Sequence, residues 1–251
     1  MKLRIENIKV FNTFLASVSK LINSAEFEVS KDVAKVCASN EVLRGFFSTN
    51  AILLPEDSDE PSVKFCVGEV NRLHKVMTMV ARDVVDGTVF ELDFDGTFIS
   101  YDGTPSFRLK TVKRELIEKY ITQPVKSELR VGFSFMTSSK DIRSVVQASN
   151  IISGDNNKVY FSKRGESVFA EVDDKSVSFN DSIAIPISPM VEGNIPRVLA
   201  IRMDDFISFA LLECGDISVK NINETFFRVD SRVDDGDRFV AISLFVPTVK
   251  G

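Results

Sequence analysis

Four short stretches with helical periodicity recur along this 251-residue chain at nearly equal intervals, and that recurrence limits the folds open to it. Apolar residues return at helical spacing over about Asn7–Asn23 (Ile8, Phe11, Leu15, Val18, Ile22) and Glu69–Asp83 (Val70, Leu73, Val76, Met77, Val80). They return over Ser139–Ile152 (Ile142, Val145, Val146), where Ser138 or Ser139 offers an N-cap hydroxyl, and over Met203–Cys214. The starts lie roughly 62, 70 and 64 residues apart, and self-similarity of this kind marks an internal duplication. The stretches between them read as strands: alternating, β-branched or Phe-rich runs such as Phe27–Val29, Leu43–Leu53, Val63–Val67, Val89–Asp93, Leu129–Phe135, Val168–Val172 and Phe239–Phe245. A doubly wound parallel sheet needs a helix after nearly every strand, and this chain has one per several. The predicted fold class is therefore α+β, two duplicated domains each with two helices packed on mostly antiparallel sheets. The domains are placed at residues 1–112 and 129–251. A charged connector at 113–128 joins them, and its first half reads as either a strap or a short helix.

Composition removes whole classes of activity. No run approaches the ~18 apolar residues of a spanning helix, so no membrane partner is expected. Lys9, Asn12 and Lys20 interrupt any signal-peptide core. Cys37, Cys66 and Cys214 are odd in number and far apart, which argues for a reducing, intracellular compartment and against a disulfide framework or a zinc site. The single histidine, His74, excludes a multi-histidine metal centre, and no phosphate loop or dinucleotide fingerprint is present. No cofactor and no metal are expected. One enzyme-like motif remains. Val89–Thr97, VFELDFDGT, is similar to the nucleophile motif of haloacid-dehalogenase-type phosphatases, with Asp93 as nucleophile and Asp95 as acid/base. Yet Asp-Gly-Thr recurs at Asp86, Asp95 and Asp102, always between strand-like runs, and Asp-Gly suits tight hairpin turns because it tolerates positive φ. Such a phosphatase also needs parallel strands and a later acidic magnesium motif. Turns are the expectation here, and no catalytic residue is assigned.

Charge is more informative by position than in total. The chain holds 31 basic and 36 acidic residues, a net of −5. Screening acts over about 8 Å at physiological salt, so one face can be basic on an acidic protein. Positions offset by 0, 3, 7 and 10 share one side of a helix. In the first helix these are Lys9, Asn12, Ala16 and Ser19, with Lys20 beside them. In the second they are Arg72, Lys75, Met79 and Arg82, and in the third Lys140, Arg143, Gln147 and Asn150. Seven cations stand against three acids, Glu69, Asp83 and Asp141, within a chain that has excess acid. Three helices biased in this way point to a phosphate-facing surface. The fourth departs, with Asp204, Asp205 and Glu213 and only Arg202 at its edge.

This arrangement resembles a DNA sliding clamp of the proliferating-cell-nuclear-antigen and T-even phage type. Phe11–Phe27 (FNTFLASVSKLINSAEF) is similar to the first eukaryotic clamp helix and its exit, and Val70–Val80 to the second, with Lys75 at a basic position of the family. Lys140–Ile152 (KDIRSVVQASNII) is similar to the third helix of the T-even phage clamp, and Leu244–Pro247 to the C-terminal strand beside the partner pocket. The resemblance implies a non-enzymatic homotrimeric ring around double-stranded DNA, with Lys9, Asn12, Lys20, Arg72, Lys75, Arg82, Lys140, Arg143 and Gln147 facing the duplex without sequence preference. It implies subunits joined by edge strands at about Ser106–Val112 and Lys175–Phe179, where Phe107 and Leu109 meet Val177 and Phe179. It further implies a pocket for DNA polymerase and clamp-loader peptides lined by Val42, Leu43, Ile121, Pro124, Phe245 and Pro247. The cytoplasm of an infected bacterium, for a phage-encoded chain, or otherwise the nucleus, is the compartment it suggests. The alternatives are a monomeric processivity factor of the same fold, the phosphatase above, or an unrelated β-rich virion or scaffold protein.

Overall fold

Helix placement follows from where the apolar stripes and caps lie. A computed structural model describes residues 1–83, 88–122, 129–152, 158–173, 182–195, 199–210 and 215–250. The chain divides into two compact units, Met1–Val125 with Val233–Ile242, and Lys126–Arg232 with Ser243–Gly251. The first unit contains β1 (Lys2–Ile5), α1 (Ile8–Leu21), β2 (Ala25–Ser30), β3 (Ala34–Ser39), β4 (Arg44–Thr49), β5 (Ile52–Leu53) and β6 (Ser62–Val67). It continues with α2 (Val70–Asp83), β7 (Phe90–Phe94), β8 (Phe98–Tyr101) and β9 (Phe107–Lys110). Its strands form one antiparallel sheet ordered β5-β1-β7-β8-β9 and a second ordered β4-β3-β2-β6.

The second unit repeats this plan. It contains β10 (Val131–Ser138), α3 (Ser139–Ser149), β11 (Lys158–Arg164), β12 (Ser167–Asp173), β13 (Ser182–Ser188) and β14 (Glu192–Gly193). There follow β15 (Leu199–Arg202), α4 (Met203–Ala210), β16 (Asp216–Ile222), β17 (Phe226–Asp235), β18 (Arg238–Pro247) and β19 (Val249–Lys250). The orders β14-β10-β16-β17-β18 and β13-β12-β11-β15-β19 reproduce those of the first unit, strand for strand, with β19 added. The tip of the β17–β18 hairpin, Val233–Ile242, groups with the first unit, where the Thr49 hydroxyl donates to the Phe239 carbonyl (2.6 Å).

Local chemistry accounts for the boundaries. Asn7 has extended dihedrals and its Oδ1 accepts from Val10 N–H (3.1 Å), so α1 starts at Ile8. Ser138 caps α3 in the same way through Asp141 N–H (3.1 Å), while its hydroxyl donates to the Asp141 carboxylate (2.6 Å). α4 begins at Met203 as expected, and residues 211–214, including Cys214 and Glu213, lie outside the described residues. The first half of the connector is two 3-10 turns, Arg114–Leu116 and Glu118–Tyr120. They lie along β3, where Ile121 bridges Ala38 and Thr122 N–H donates to the Cys37 carbonyl (3.3 Å).

One helix of each unit is seated by phenylalanine. In the first unit Phe14 of α1 packs edge-on against Phe27 of β2 (6.1 Å), which stacks on Phe65 of β6 (5.3 Å), which meets Phe94 of β7 (5.3 Å). In the second, Phe206 of α4 meets Phe161 of β11 (6.2 Å), which touches both Phe135 of β10 (5.7 Å) and Phe227 of β17 (5.1 Å). Each chain of rings ties a helix to both sheets of its unit. Phe161→Ala should therefore cost about 3–5 kcal/mol in urea denaturation. Phe169→Ala, at a half-buried position of the neighbouring strand, should cost well under half of that.

Candidate nucleic-acid interface

α1 packs beside α2 in the first unit, and α3 beside α4 in the second. In each pair the apolar stripes face the sheets: Phe11, Phe14, Leu15 and Val18 on α1; Val70, Leu73, Met77 and Val80 on α2; Ile142 and Val145 on α3 are all buried. What remains outward is the predicted basic face. Lys9 and Lys20 of α1, Arg72, Lys75 and Arg82 of α2, and Lys140, Arg143 and Gln147 of α3 are exposed. Asn12 sits differently. It is half-buried, and its amide donates to the Met77 carbonyl of α2 (3.4 Å), so it joins the two helices as well as lying on that face.

The small polar residues of these helices turn inward on themselves. The hydroxyls of Thr13, Ser17, Thr78 and Ser144 donate to carbonyls four residues earlier, and those of Ser19 and Ser149 to carbonyls three residues earlier. Lysine and arginine are thereby left as the protruding groups. The acids are largely engaged. Asp141 serves the α3 cap, and Glu69 faces Arg72 at 3.7 Å between two well-exposed side chains. On α4 Asp205 is buried and accepts from Arg202 Nε (2.8 Å). Asp204 therefore stands as the exposed acid among the described residues of α4, so the fourth helix is less acidic in outline than its composition suggests.

The other predicted sites can be placed in part. β9 is the outer strand of its sheet, with Phe107 and Leu109 half-buried and Arg108 and Lys110 exposed. Val177 and Phe179 lie outside the described residues; the outer described strand of the second unit is β13, whose Ile183 and Ile185 are half-buried. Among the pocket residues, Val42 is exposed and Leu43 buried in a turn closed by Asn40, whose Oδ1 accepts from both backbone N–H groups (2.9 and 2.7 Å). Ile121 is half-buried at the end of β3, and Pro124 is outside the described residues. Phe245 is buried against Phe226 (5.5 Å), and Pro247 is half-buried. Periodicity did not single out two connector residues: Ile117, 3% exposed, anchors the strap, and Leu116 beside it stands 70% exposed.

The phosphatase reading loses its acid/base. Asp95 Oδ1 accepts from the backbone N–H groups of Thr97 (2.8 Å) and Phe98 (2.6 Å) at the β7–β8 turn, where Gly96 has φ +87°. Those bonds, with Arg108 nearby, hold its carboxyl below the ordinary range. Asp93 is exposed on a strand of an antiparallel sheet rather than at the end of a parallel one. Among the described residues no group of three His, Cys, Asp or Glu could hold a metal, and no helix is long and apolar enough to cross a membrane.

This architecture, two duplicated units of paired helices on antiparallel sheets, is the fold of the PCNA sliding clamps. The structure of A. fulgidus PCNA bound to the C-terminal region of FEN-1 superposes with a TM-score of 0.76 at 14% identity, covering 100% of both chains. PCNA of Entamoeba histolytica gives 0.72 at 11% identity, covering 99% of this chain and 98% of that one. PCNA of Thermococcus kodakaraensis gives 0.71 at 13%, with 99% of each chain covered. No family model matches the chain, and no curated protein matches it in sequence.

The Asp95 turn makes a pH prediction. A carboxyl held below its unfolded value of about 3.9 contributes stability that is complete above that value and vanishes as pH falls through the folded pKa. Asp95→Ala should lower Tm by a constant amount at neutral and mildly acidic pH. The difference from the native chain should shrink below about pH 4, as read by thermal melts in a pH series.

Proposed function

We propose that this chain is a sliding clamp: a ring of three copies that encircles double-stranded DNA and tethers a DNA polymerase. The observation that carries the reading is the coincidence of a full-length clamp fold with exposed cations on α1, α2 and α3 of a net-acidic chain. A protein held topologically on DNA needs only weak, sequence-independent phosphate contacts. Long flexible cations on helices whose small residues fold inward supply contacts of that kind. The reading involves no chemical step, so the chain acts as a scaffold and not as an enzyme.

Ring closure in this proposal uses edge strands. Among the described residues no strand pairs with the outer side of β9, and an uncovered edge with apolar Phe107 and Leu109 invites aggregation unless another strand covers it. Pairing with about Lys175–Phe179 of the next copy, the stretch holding Val177 and Phe179, or with β13, an outer described strand of the second unit, removes that liability. Partner docking, of a polymerase or a clamp loader, is assigned to Val42, Leu43, Ile121, Pro124, Phe245 and Pro247. The A. fulgidus clamp bound to the C-terminal region of FEN-1 is a precedent for capture of one region of a partner chain.

Two measurements test this. Replacing Lys20, Lys75 and Arg143 with Ala should leave the fold intact, because all three are exposed, and should weaken DNA binding. The slope of log affinity against log salt should flatten by about 0.9 for each lost phosphate contact. An unchanged slope would remove the basic face from the mechanism. Sedimentation across a dilution series should give three times the 28.0 kDa chain mass, and Lys110→Pro, which deletes an N–H on the side of β9 away from β8, should give monomers. A native chain that sediments as a monomer yet stimulates synthesis would instead identify a clamp-fold factor that works without a closed ring.

A further inference from the structure

The second unit carries an apolar recess. It lies on the solvent side of β14-β10-β16, encloses about 350 Å³, and is walled by Met136, Pro189 and Met190. Met136 is 53% exposed and Met190 64%, and the two wall one recess instead of standing singly. The loop bearing Met190 is braced. The buried Ser188 hydroxyl donates to the Met190 carbonyl (2.9 Å) and accepts from its N–H (3.4 Å), and the Ser134 hydroxyl donates to Glu192 (3.1 Å) on the recess rim.

The duplication supplies an internal control. Counted back from the β7–β8 and β16–β17 turns, the outward residues Lys2, Arg4, Glu91 and Asp93 of the first unit answer to Ser134, Met136, Ser218 and Lys220 of the second. Four charges in one copy become one in the other. The first unit closes its face with the Lys2–Glu91 pair and holds Arg4 on Glu6 (2.8 Å), whereas the second leaves a methionine over a hollow. The architecture therefore does not require an apolar face here; the second unit has acquired one.

We propose that this recess docks a short peptide segment of a partner protein, presenting one large apolar anchor with an acidic residue beside it. Size argues against a second copy, because stable pairs of folded proteins bury about 800 Å² per partner and this hollow admits one or two side chains. Charge sets the polarity of the peptide. Glu192 lies on one flank; on the other, Lys220 and Arg228 share a single acid, Asp230, at 3.6 and 2.8 Å, which leaves a surplus cation. Flexible thioether walls suit an anchor of variable shape. The proposal is independent of ring formation and of DNA binding.

The test uses the full chain labelled with [methyl-13C]methionine, in which six methionines report separately. Three octapeptides are titrated: Gly-Ser-Asp-Leu-Phe-Gly-Ser-Gly, the same with Lys for Asp, and the same with Ser for both Leu and Phe. The first should shift the Met136 and Met190 methyls saturably and leave the exposed Met79 of α2 unmoved. The Lys peptide should bind about 2–5-fold more weakly, as an exposed ion pair predicts. The Ser peptide should cause no shift. Met136→Arg, which restores the first unit's residue type, and Met190→Ser should each abolish binding in a chain whose remaining methyl spectrum is native. Absent shifts, or equal shifts with all three peptides, overturn the proposal. Shifts that follow protein concentration without peptide, together with a rise in sedimenting mass that Met136→Arg removes, would overturn it in favour of a second copy.

Discussion

The contact on which the rest of each unit depends is the ring-to-ring packing of phenylalanine between helix and sheet. The chain has 21 phenylalanines and no tryptophan, and buried ones link a helix to strands of two different sheets in each unit. Phe27 with Phe65 in the first unit, and Phe161 in the second, are the junctions. With the inner side of each helix held by apolar burial, aromatic on α1 and α4 and aliphatic on α2 and α3, the outer side is free to vary in chemistry without endangering the fold. That freedom lets α1, α2 and α3 carry cations while α4 presents an acid, Asp204, and no cation among its described residues.

Duplication amplifies the same economy. Both units keep the strand order and the inward apolar rows, so selection on stability acts on equivalent positions twice. The outward rows are unconstrained and have diverged: ion pairs over β1 and β7, a methionine recess over β10 and β16. One inward position has also diverged. Asn221 occupies the place that Phe94 holds in the first unit, fully buried, with no protein partner for its amide nitrogen or oxygen. The β-bulge between Val131 and Phe133 lies opposite it and interrupts the ladder there.

Much of the fold was legible because period and burial coincide. The four helices begin within a residue or two of the predicted starts, since Asn7 and Ser138 cap where the stripes begin. The Asp95 turn was legible because Asp-Gly encodes its own backbone geometry. Less was readable where contacts are long-range. Leu43–Leu53 reads as one strand but breaks at Asn50–Ala51, where the side chain of Asn50 is spent on Asp237 and Phe239, nearly two hundred residues away. Ile117 and Leu116 are adjacent and equally apolar, and only the 3-10 turn decides which of them is buried. One available signal went unread: Thr-Val-Lys at 111–113 and again at 248–250 marks equivalent exits, Val112 pairing with β6 as Val249 pairs with β15.

Charge partition follows from the same separation of roles. The three basic helices hold seven cations and three acids over their predicted spans, a surplus of four that leaves a deficit of nine on the remainder of a chain of net charge −5. A screening length near 8 Å keeps the two regions electrostatically distinct at physiological salt. Under the clamp reading, phosphate is drawn to the helices and the net charge of the remainder opposes it. A uniformly basic chain would bind nucleic acid on every face, in competition with the helical one. Under the clamp reading, an acidic exterior is what confines a weak, sequence-independent contact to the surface where it permits sliding.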